Sequence, residues 1–560
     1  MRKKSGVWKI WRVVAGALAM GLVWAQVPHL ERRGRATQLV VDGKPYLVLG
    51  GELTNSASSS EAYMAPYWGK LSAAHLNTIL AAVSWELIEP EEGRFDFSTV
   101  DWLLKDARQH NLRLILLWFG SWKNTVSTYA PLWVKRDMRT YPLVVDENGD
   151  RLNILSAFTA ANWKADARAY AALMRHLREV DGAAHTVVMM QVENEVGLRS
   201  APRDRSADAL KAYRGDVPEA LMEYLKNHRE GLVPELRRQW EDAGGRTAGT
   251  WAEVFGTGRR ADGIFMAWYY ASYMEKVAAA GKAEYPIPVF VNAALGDQVG
   301  QYSSGGPLWD VMDVWKAAAP HIDLLSPCTY WASFEQWCAR YDRPGNALFI
   351  PETRADPGQA FYAIGQHGPI GYSPFAIERT VSGDGPLAQA YDVLGQLAPL
   401  ILEAQARGGI GAIGLEDGAG AGTVRVGDYV FEGTAARRAG AAAGAGAAET
   451  VAGIVGMVRA APMPSYALVL ATGPDEFLLA GAGIEIQFHA AGNGAQTVAI
   501  GTLEEGKFVD GRWVAGRRLN GDDTMLGYDL AAMAERKLSG QGIRLAAGAP
   551  AILRVRLYRY

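Results

Sequence analysis

The sequence predicts an α/β chain: a closed (β/α)8 TIM barrel over residues 36–407, then an all-β, sandwich-like carboxyl-terminal domain over residues 408–560. Three observations carry this reading. Between about residue 45 and 376, eight short apolar runs alternate with helical stretches, the rhythm of parallel strands and covering helices. Near residue 408 the texture changes to glycine-rich, short alternating strands. The fourth and seventh of the eight runs also close on a glutamate, where the strands of a barrel open onto its carboxyl face.

In chain order, the first 25 residues stand apart. Arg2, Lys3, Lys4, Lys9 and Arg12 precede an apolar stretch, VVAGALAMGLVWA, that closes on Ala25. Thirteen apolar residues fall short of the roughly 20 that span a bilayer, so this is the layout of a secretory signal peptide over residues 1–25. The expectation is a periplasmic or secreted protein without stable membrane insertion after cleavage, a retained amino-terminal anchor being the alternative.

The eight strand candidates are YLVLGGE, NTILAAVSW, LRLILLWFG, TVVMMQVENE, PVFVNAAL, DLLSPCTYW, ALFIPE and PIGYSPF. Between them, STVDWLLKDARQHN reads as a helix opened by a Ser98–Asp101 capping box, with Val100, Leu103, Leu104 and Ala107 on one apolar face. Residues 198–262 form an oversized connection after the fourth strand, the kind of loop that builds a substrate site. Past residue 408, YALVLAT, EFLLAG, IEIQFHA and ILRVRLYRY alternate in the period of strands. Residues 435–448, ARRAGAAAGAGAAE, read as a low-complexity loop, because glycine weakens a helix there.

Composition excludes several classes of function. With 49% hydrophobic and 21% charged residues the chain is neither disordered nor a polytopic membrane protein. A net charge of -3 with mixed signs leaves no basic stripe, so nucleic acid is not an expected partner. The nine histidines form no HExxH pair or other metal spacing, and no metal or other cofactor is expected. Cys328 and Cys338 are the only cysteines; one bridge between them stays open in an oxidising compartment, and a disulfide framework does not.

Chemistry enters at TVVMMQVENEVG, residues 186–197. Glu193 and Glu195 are either the wet end of a strand or charges placed for a purpose, and a second carboxylate favours the latter. Glu195 closes the fourth strand and Glu352, in NALFIPETR, closes the seventh, so both can point at one bond across a barrel mouth. Paired carboxylates flanking a glycosidic bond are what glycoside hydrolysis needs. Asn194 is placed to bind a sugar 2-hydroxyl. An oligosaccharide or polysaccharide is therefore the expected partner; oligomeric state is not legible.

QVENEVG resembles the QVENEYG of glycoside hydrolase family 35, the β-galactosidases, and AAVSWELIEPEEGRFDF resembles that family's second-strand motif. The resemblance covers most of residues 36–400 and is closest to the bacterial branch with a β-rich carboxyl-terminal domain. It implies a retaining exo-glycosidase acting on terminal β-D-galactosyl residues, xyloglucan side chains among them, with Glu195 as acid/base, Glu352 as nucleophile and Glu193 in a structural role. The chain departs from the family at LLWFGSWKN in the third strand and at Ala82, where a tyrosine is common. Alternatives are a β-glucosidase or other exo-β-glycosidase on the same scaffold, and a non-catalytic carbohydrate-binding protein.

Sugars present apolar faces and hydroxyl rims, so aromatic platforms and polar groups near the strand ends are the remaining candidates. Glu52 and Asn55 follow strand one, Trp85 and Glu86 end strand two, Trp118 and Trp122 end strand three, and Tyr330 and Trp331 end strand six. Tyr330 is expected to hydrogen-bond Glu352, as the resemblance implies. Trp118 and Trp122 have a packing role as their alternative, and Glu86 a salt bridge to a cation such as Lys123.

Overall fold

The computed structural model describes residues 27–296, 303–330, 333–415, 420–436, 465–492, 497–526 and 541–560. The proposed signal peptide, Trp331 and nearly all of the 435–448 stretch lie outside the described residues.

Eight strands form a closed, all-parallel barrel: β1 (Val48–Glu52), β2 (Thr78–Ser84), β3 (Arg113–Lys123), β4 (Val187–Asn194), β5 (Val289–Ala294), β6 (Leu324–Thr329), β7 (Ile350–Thr353) and β8 (Gly371–Pro374). Each of the eight apolar runs supplies one of them. Strand parity sorts the side chains. In β3, Ile115, Leu117 and Phe119 fill the barrel interior, while Leu114, Leu116 and Trp118 face the helical layer. A three-stranded antiparallel sheet of His29–Arg33, Ala36–Val41 and Lys44–Tyr46 adds Leu39 and Val41 to the interior cluster.

The covering helices include α1 (Ser98–Gln109), α2 (Ala160–Asp181), α3 (Arg259–Glu284), α4 (Pro357–Gln366) and α5 (Pro386–Arg407). The apolar face read for α1 is buried, but its start differs from the expected capping box. Ser98 is the first helical residue, and its N–H is held by Asp96 Oδ1 at 2.9 Å, because the carboxylate two positions earlier reaches the free amide first. The 198–262 connection folds into short helices that bury Trp240 and Trp251.

Beyond α5 the chain is all-β. A six-stranded sheet runs in the order Ile410–Leu415, Ser465–Ala471, Glu476–Ala482, Ala551–Arg559, Val498–Val509, Arg512–Leu519, and a four-stranded sheet joins Ala421–Val426, Tyr429–Ala435, Ile484–Ala490 and Ile543–Leu545. Ala467, Val469, Phe477 and Leu479 meet Phe431, Ile484 and Ile486 between the two sheets. Tyr466, Leu468, Leu478 and Ala480 alternate with them and join the barrel's own core on the opposite face, where Phe361 of α4 packs on Tyr466 at 4.9 Å. One sheet is thus buried on both sides. Among the described residues no helix is long and apolar enough to cross a membrane.

Candidate active site

The end of β4 leaves regular geometry. An extended strand would send Glu193 and Glu195 to the same face, but both have left-handed backbone, at φ 59° and 48°. The kink separates them. Glu193 turns back against β3, where its carboxyl accepts the N–H groups of Gly120 (3.2 Å), Ser121 (2.9 Å) and Trp122 (2.8 Å). Residue 120 must be glycine here, since a Cβ would stand 2.6 Å from Glu193 Oε1. Burial pushes this carboxyl well above the usual range, Asp166 on α2 adds to the shift, and the amides of Trp122 and Ser121 oppose it. Asp166 is held in turn by Trp118 Nε1 (2.8 Å), Ser121 Oγ (2.6 Å) and Tyr273 Oη (3.0 Å).

Glu195 turns the other way, into the barrel mouth. A carboxylate oxygen of Glu195, one of Glu352 at the end of β7, and Cys328 Sγ on β6 all lie within 4.8 Å of one another. The two carboxylates keep 9% and 7% of their surface, enough to meet a ligand while largely out of water. Burial and the neighbouring charge of Glu352 raise the Glu195 carboxyl to about 7, while Lys123, Arg199 and a hydrogen bond from Cys328 pull it down. Tyr330 Oη donates to Glu352 Oε1 at 2.7 Å, and the Cys328 thiol to Oε2 at 3.5 Å. The same thiol accepts from Asn292 Nδ2 (3.2 Å), whose Oδ1 receives the backbone N–H of Glu195 (2.8 Å). Strands β5 and β6 therefore brace one carboxylate against the other. The three groups could chelate a soft divalent cation, and two carboxylates at this spacing also suit an acid and a nucleophile on either side of a glycosidic bond.

Around the pair, polar atoms wait without partners. Glu52 is buried with Oε1 unpartnered, and burial and the charge of Glu352 raise its carboxyl well above the usual range. Asn194 Oδ1 accepts from the buried Lys123 ammonium at 2.7 Å, leaving Nδ2 without a partner. Asn55 Oδ1, in the turn after β1, is also unpartnered. Buried donors and acceptors are rarely left so, and hydroxyl groups of a ligand would satisfy them.

The tryptophans fall elsewhere. Trp85 is fully buried with its indole N–H on Glu89 (2.9 Å) and its ring edge-on to Trp133. Trp118 points to Asp166, and Trp122 lies edge-on to Tyr270 and Tyr273 of α3. All three belong to the layer between strands and helices; for Trp118 parity decides it, as an even-numbered residue of β3 faces outward. Glu86 pairs with Lys135 at 3.2 Å, not with Lys123, which reaches Asn194 and Asn124 instead. The structure therefore brings together Glu195, Glu352, Glu52, Asn194 and Tyr330, and sets Trp85, Glu86, Trp118 and Trp122 apart from them. Reading the sequence missed Asn292, Lys123 and the thiol of Cys328. A polar residue inside the apolar run PVFVNAAL was the available signal for Asn292. Both cysteines are buried free thiols, so the bridge left open for them is not formed.

Residues 61–256 match the family model of glycoside hydrolase family 42, described as β-galactosidase, and residues 387–531 match a domain of unknown function, DUF5597. The first match contains Glu195 and ends before Glu352. A β-galactosidase of Xanthomonas manihotis is 39% identical over 108 residues, 19% of this chain and 18% of that one. The β-galactosidase GalA of Bacillus licheniformis is 28% identical over 134 residues, 23% and 18% of the two chains. The chain thus spans under a fifth of the length of these curated relatives. Among solved structures, the β-galactosidase of Bacillus circulans sp. alkalophilus aligns over 64% of this chain and 57% of its own at 16% identity and TM-score 0.43. That of Marinomonas ef1 aligns over 63% and 60% at 12% identity and TM-score 0.41. The family named is 42, which corrects the resemblance to family 35 that QVENEVG and AAVSWELIEPEEGRFDF suggest: two short motifs at strand ends do not fix the family. The DUF5597 match likewise leaves the branch of the carboxyl-terminal region unassigned.

Proposed function

We propose that the chain is a retaining exo-glycosidase that removes terminal β-D-galactosyl residues from oligo- or polysaccharides, galactosylated xyloglucan side chains among them. The approach of Glu195 and Glu352 within 4.8 Å carries this reading: it is too close for a water between acid and base, and right for direct attack. The β-galactosidase model over residues 61–256 supports the sugar.

In the first half, Glu352 attacks the anomeric carbon from the face opposite the leaving group, and Glu195 gives its proton to the departing oxygen. A carboxyl raised to about 7 keeps that proton in about half of the molecules at neutral pH, where an ordinary glutamate is almost wholly ionised. Once Glu352 is an ester its charge is gone, the repulsion that held the proton on Glu195 falls, and Glu195 becomes the base that takes a proton from water. Water then displaces Glu352 and restores the configuration. Tyr330 holds Oε1 of the nucleophile in place, and Lys123 orients Asn194 so that Nδ2 can meet the 2-hydroxyl, a contact that strengthens as positive charge develops at the ring. Glu52 and Asn55 take further hydroxyls.

The test is proton NMR of the first turnovers on aryl β-D-galactoside, with β-glucoside, β-fucoside and α-arabinoside alongside. Galactoside preferred, and β-anomer released before mutarotation, is expected. An initial α-anomer overturns the mechanism, preference for glucoside overturns the sugar, and no turnover of any of them leaves a binding protein. Export follows from residues 1–25, and mass spectrometry of protein from the native host is expected to find a mature terminus near Gln26.

A further inference from the structure

Away from the carboxylate pair the structure holds a cavity of about 500 Å3, walled by the helix Pro234–Asp242, the start of α3 and residues 303–311. Neither Glu195 nor Glu352 lines it. It nevertheless shares a wall with the loop that follows Glu195. Leu198 and Ser304 exchange backbone hydrogen bonds at 3.0 and 2.7 Å, and Gly197 lies so close to Ser303 that a Cβ there would stand 2.5 Å from the serine's own.

The lining has three kinds of group. Leu236, Ile264, Leu308 and Val311 supply an apolar side. Four guanidinium groups, Arg238, Arg259, Arg260 and Arg340, face two carboxylates, Glu235 and Asp310, an excess of two positive charges. Arg340 carries its guanidinium between Trp309 and Trp337, with Cζ 4.5 and 4.8 Å from the two ring centroids, which holds the cation in place. Third, two buried oxygens lack partners: Ser303 Oγ and Asp310 Oδ1. Buried polar oxygens are rarely left unpaired, so the site is incomplete as it stands. Burial raises the Asp310 carboxyl to about 6, against the pull of Arg260 and Arg340.

Buried acceptors call for hydroxyl donors, surplus guanidinium groups call for a carboxylate, and an apolar wall suits the C–H face of a pyranose. A uronic acid is the sugar that offers all three. We propose that this cavity is a second carbohydrate site, holding an acidic sugar unit on the flank of Glu195. The binding stands independently of catalysis. That the unit lies on the leaving-group side of the scissile bond rests on the acid/base role given to Glu195 above.

Titration of the full chain with D-glucuronate, followed by tryptophan fluorescence and by saturation-transfer NMR, tests it against D-glucose. Glucuronate is expected to bind in the millimolar range and glucose at least about tenfold more weakly, since it lacks the carboxylate. Arg259→Ala, at an exposed position that folding does not depend on, should weaken glucuronate about tenfold and leave glucose as it was. Asp310→Asn should weaken both sugars. Absence of glucuronate binding overturns the proposal, as does equal affinity for glucose, binding unaltered in Arg259→Ala, or displacement of glucuronate by galactose, which would move the signal to the catalytic pair. Glucuronate binding in a protein that turns over no aryl glycoside would sink the function proposed above and leave this site standing.

Discussion

Two buried carboxyl pairs flank the kinked end of β4, Glu193 with Asp166 of α2 and Glu195 with Glu352 of β7, and they differ in what completes them. Glu193 and Asp166 are saturated: three backbone amides, an indole, a serine and a tyrosine hydroxyl occupy them. Glu195 and Glu352 are not. A tyrosine holds Glu352 alone and a thiol stands between the two; both keep a few per cent of their surface, beside the unpartnered Oε1 of Glu52 and Nδ2 of Asn194. Burial raises a carboxyl in each pair, so a raised pKa alone does not mark chemistry. Unsatisfied polar neighbours do, because they are an arrangement that only a ligand completes. In the proposed reading one pair is scaffold and the other meets the sugar.

The comparison breaks most readily at Glu352. Glu352→Ala should lose about 10⁴-fold or more in kcat even with an activated aryl leaving group, since no glycosyl-enzyme can form. Glu195→Ala should lose about 10²–10⁴-fold on substrates with poor leaving groups, much less on good ones, and azide should restore turnover by replacing water in the second half. If azide rescues Glu352→Ala instead, the roles are exchanged. Steady-state kinetics with two leaving groups separates these outcomes.

On the scaffold side the sign of the effect changes from rate to stability. Glu193→Ala strips three buried amides of their acceptor and should cost about 3 kcal/mol or more in urea unfolding. Trp122→Phe should lower the melting temperature by a few degrees through lost packing on Tyr270 and Tyr273, with KM unchanged. A tenfold rise in KM without loss of stability would return Trp122 to the sugar site.

The smallest effect concerns the thiol between the two carboxylates. Glu195 must be protonated to act as acid, so kcat/KM should fall as pH rises through about 7. Cys328 stands between the two carboxylates with one hydrogen to offer, and its hydrogen bonding lowers the Glu195 value, so Cys328→Ala should move that alkaline limb upward by a fraction of a pH unit. Cys328→Ser, which keeps a donor, should leave it near its original place. Identical limbs in all three proteins would reduce Cys328 to packing.

How far the sequence foretold this division depends on periodicity. The eight barrel strands are legible because each is a short apolar run bounded by helix or turn signals, and Glu195 and Glu352 because they end such runs. The split between Glu193 and Glu195 is not legible, since a strand's period of two puts them on one face and only the left-handed kink parts them. The tryptophans went astray for a related reason. Their position near strand ends suggested sugar platforms, but which face a residue takes depends on register, and Trp118 takes the outer one. Whether Cys328 and Cys338 form a bridge stayed open, because ten positions in sequence say nothing of which side of β6 the Cys328 thiol leaves from.

The central claim is that Glu352 forms a bond to the sugar while Glu193, fully buried and two residues from the proposed acid, touches no substrate. An activated 2-deoxy-2-fluoro-β-D-galactoside slows both halves of the reaction, and its good leaving group lets the first outrun the second, so the intermediate accumulates. Mass spectrometry of the digested protein is expected to find one fluorogalactosyl group on the peptide containing Ile350–Thr353, esterified to Glu352. A label on Glu193 or Glu195, or none with the enzyme still active on the parent galactoside, would contradict the account.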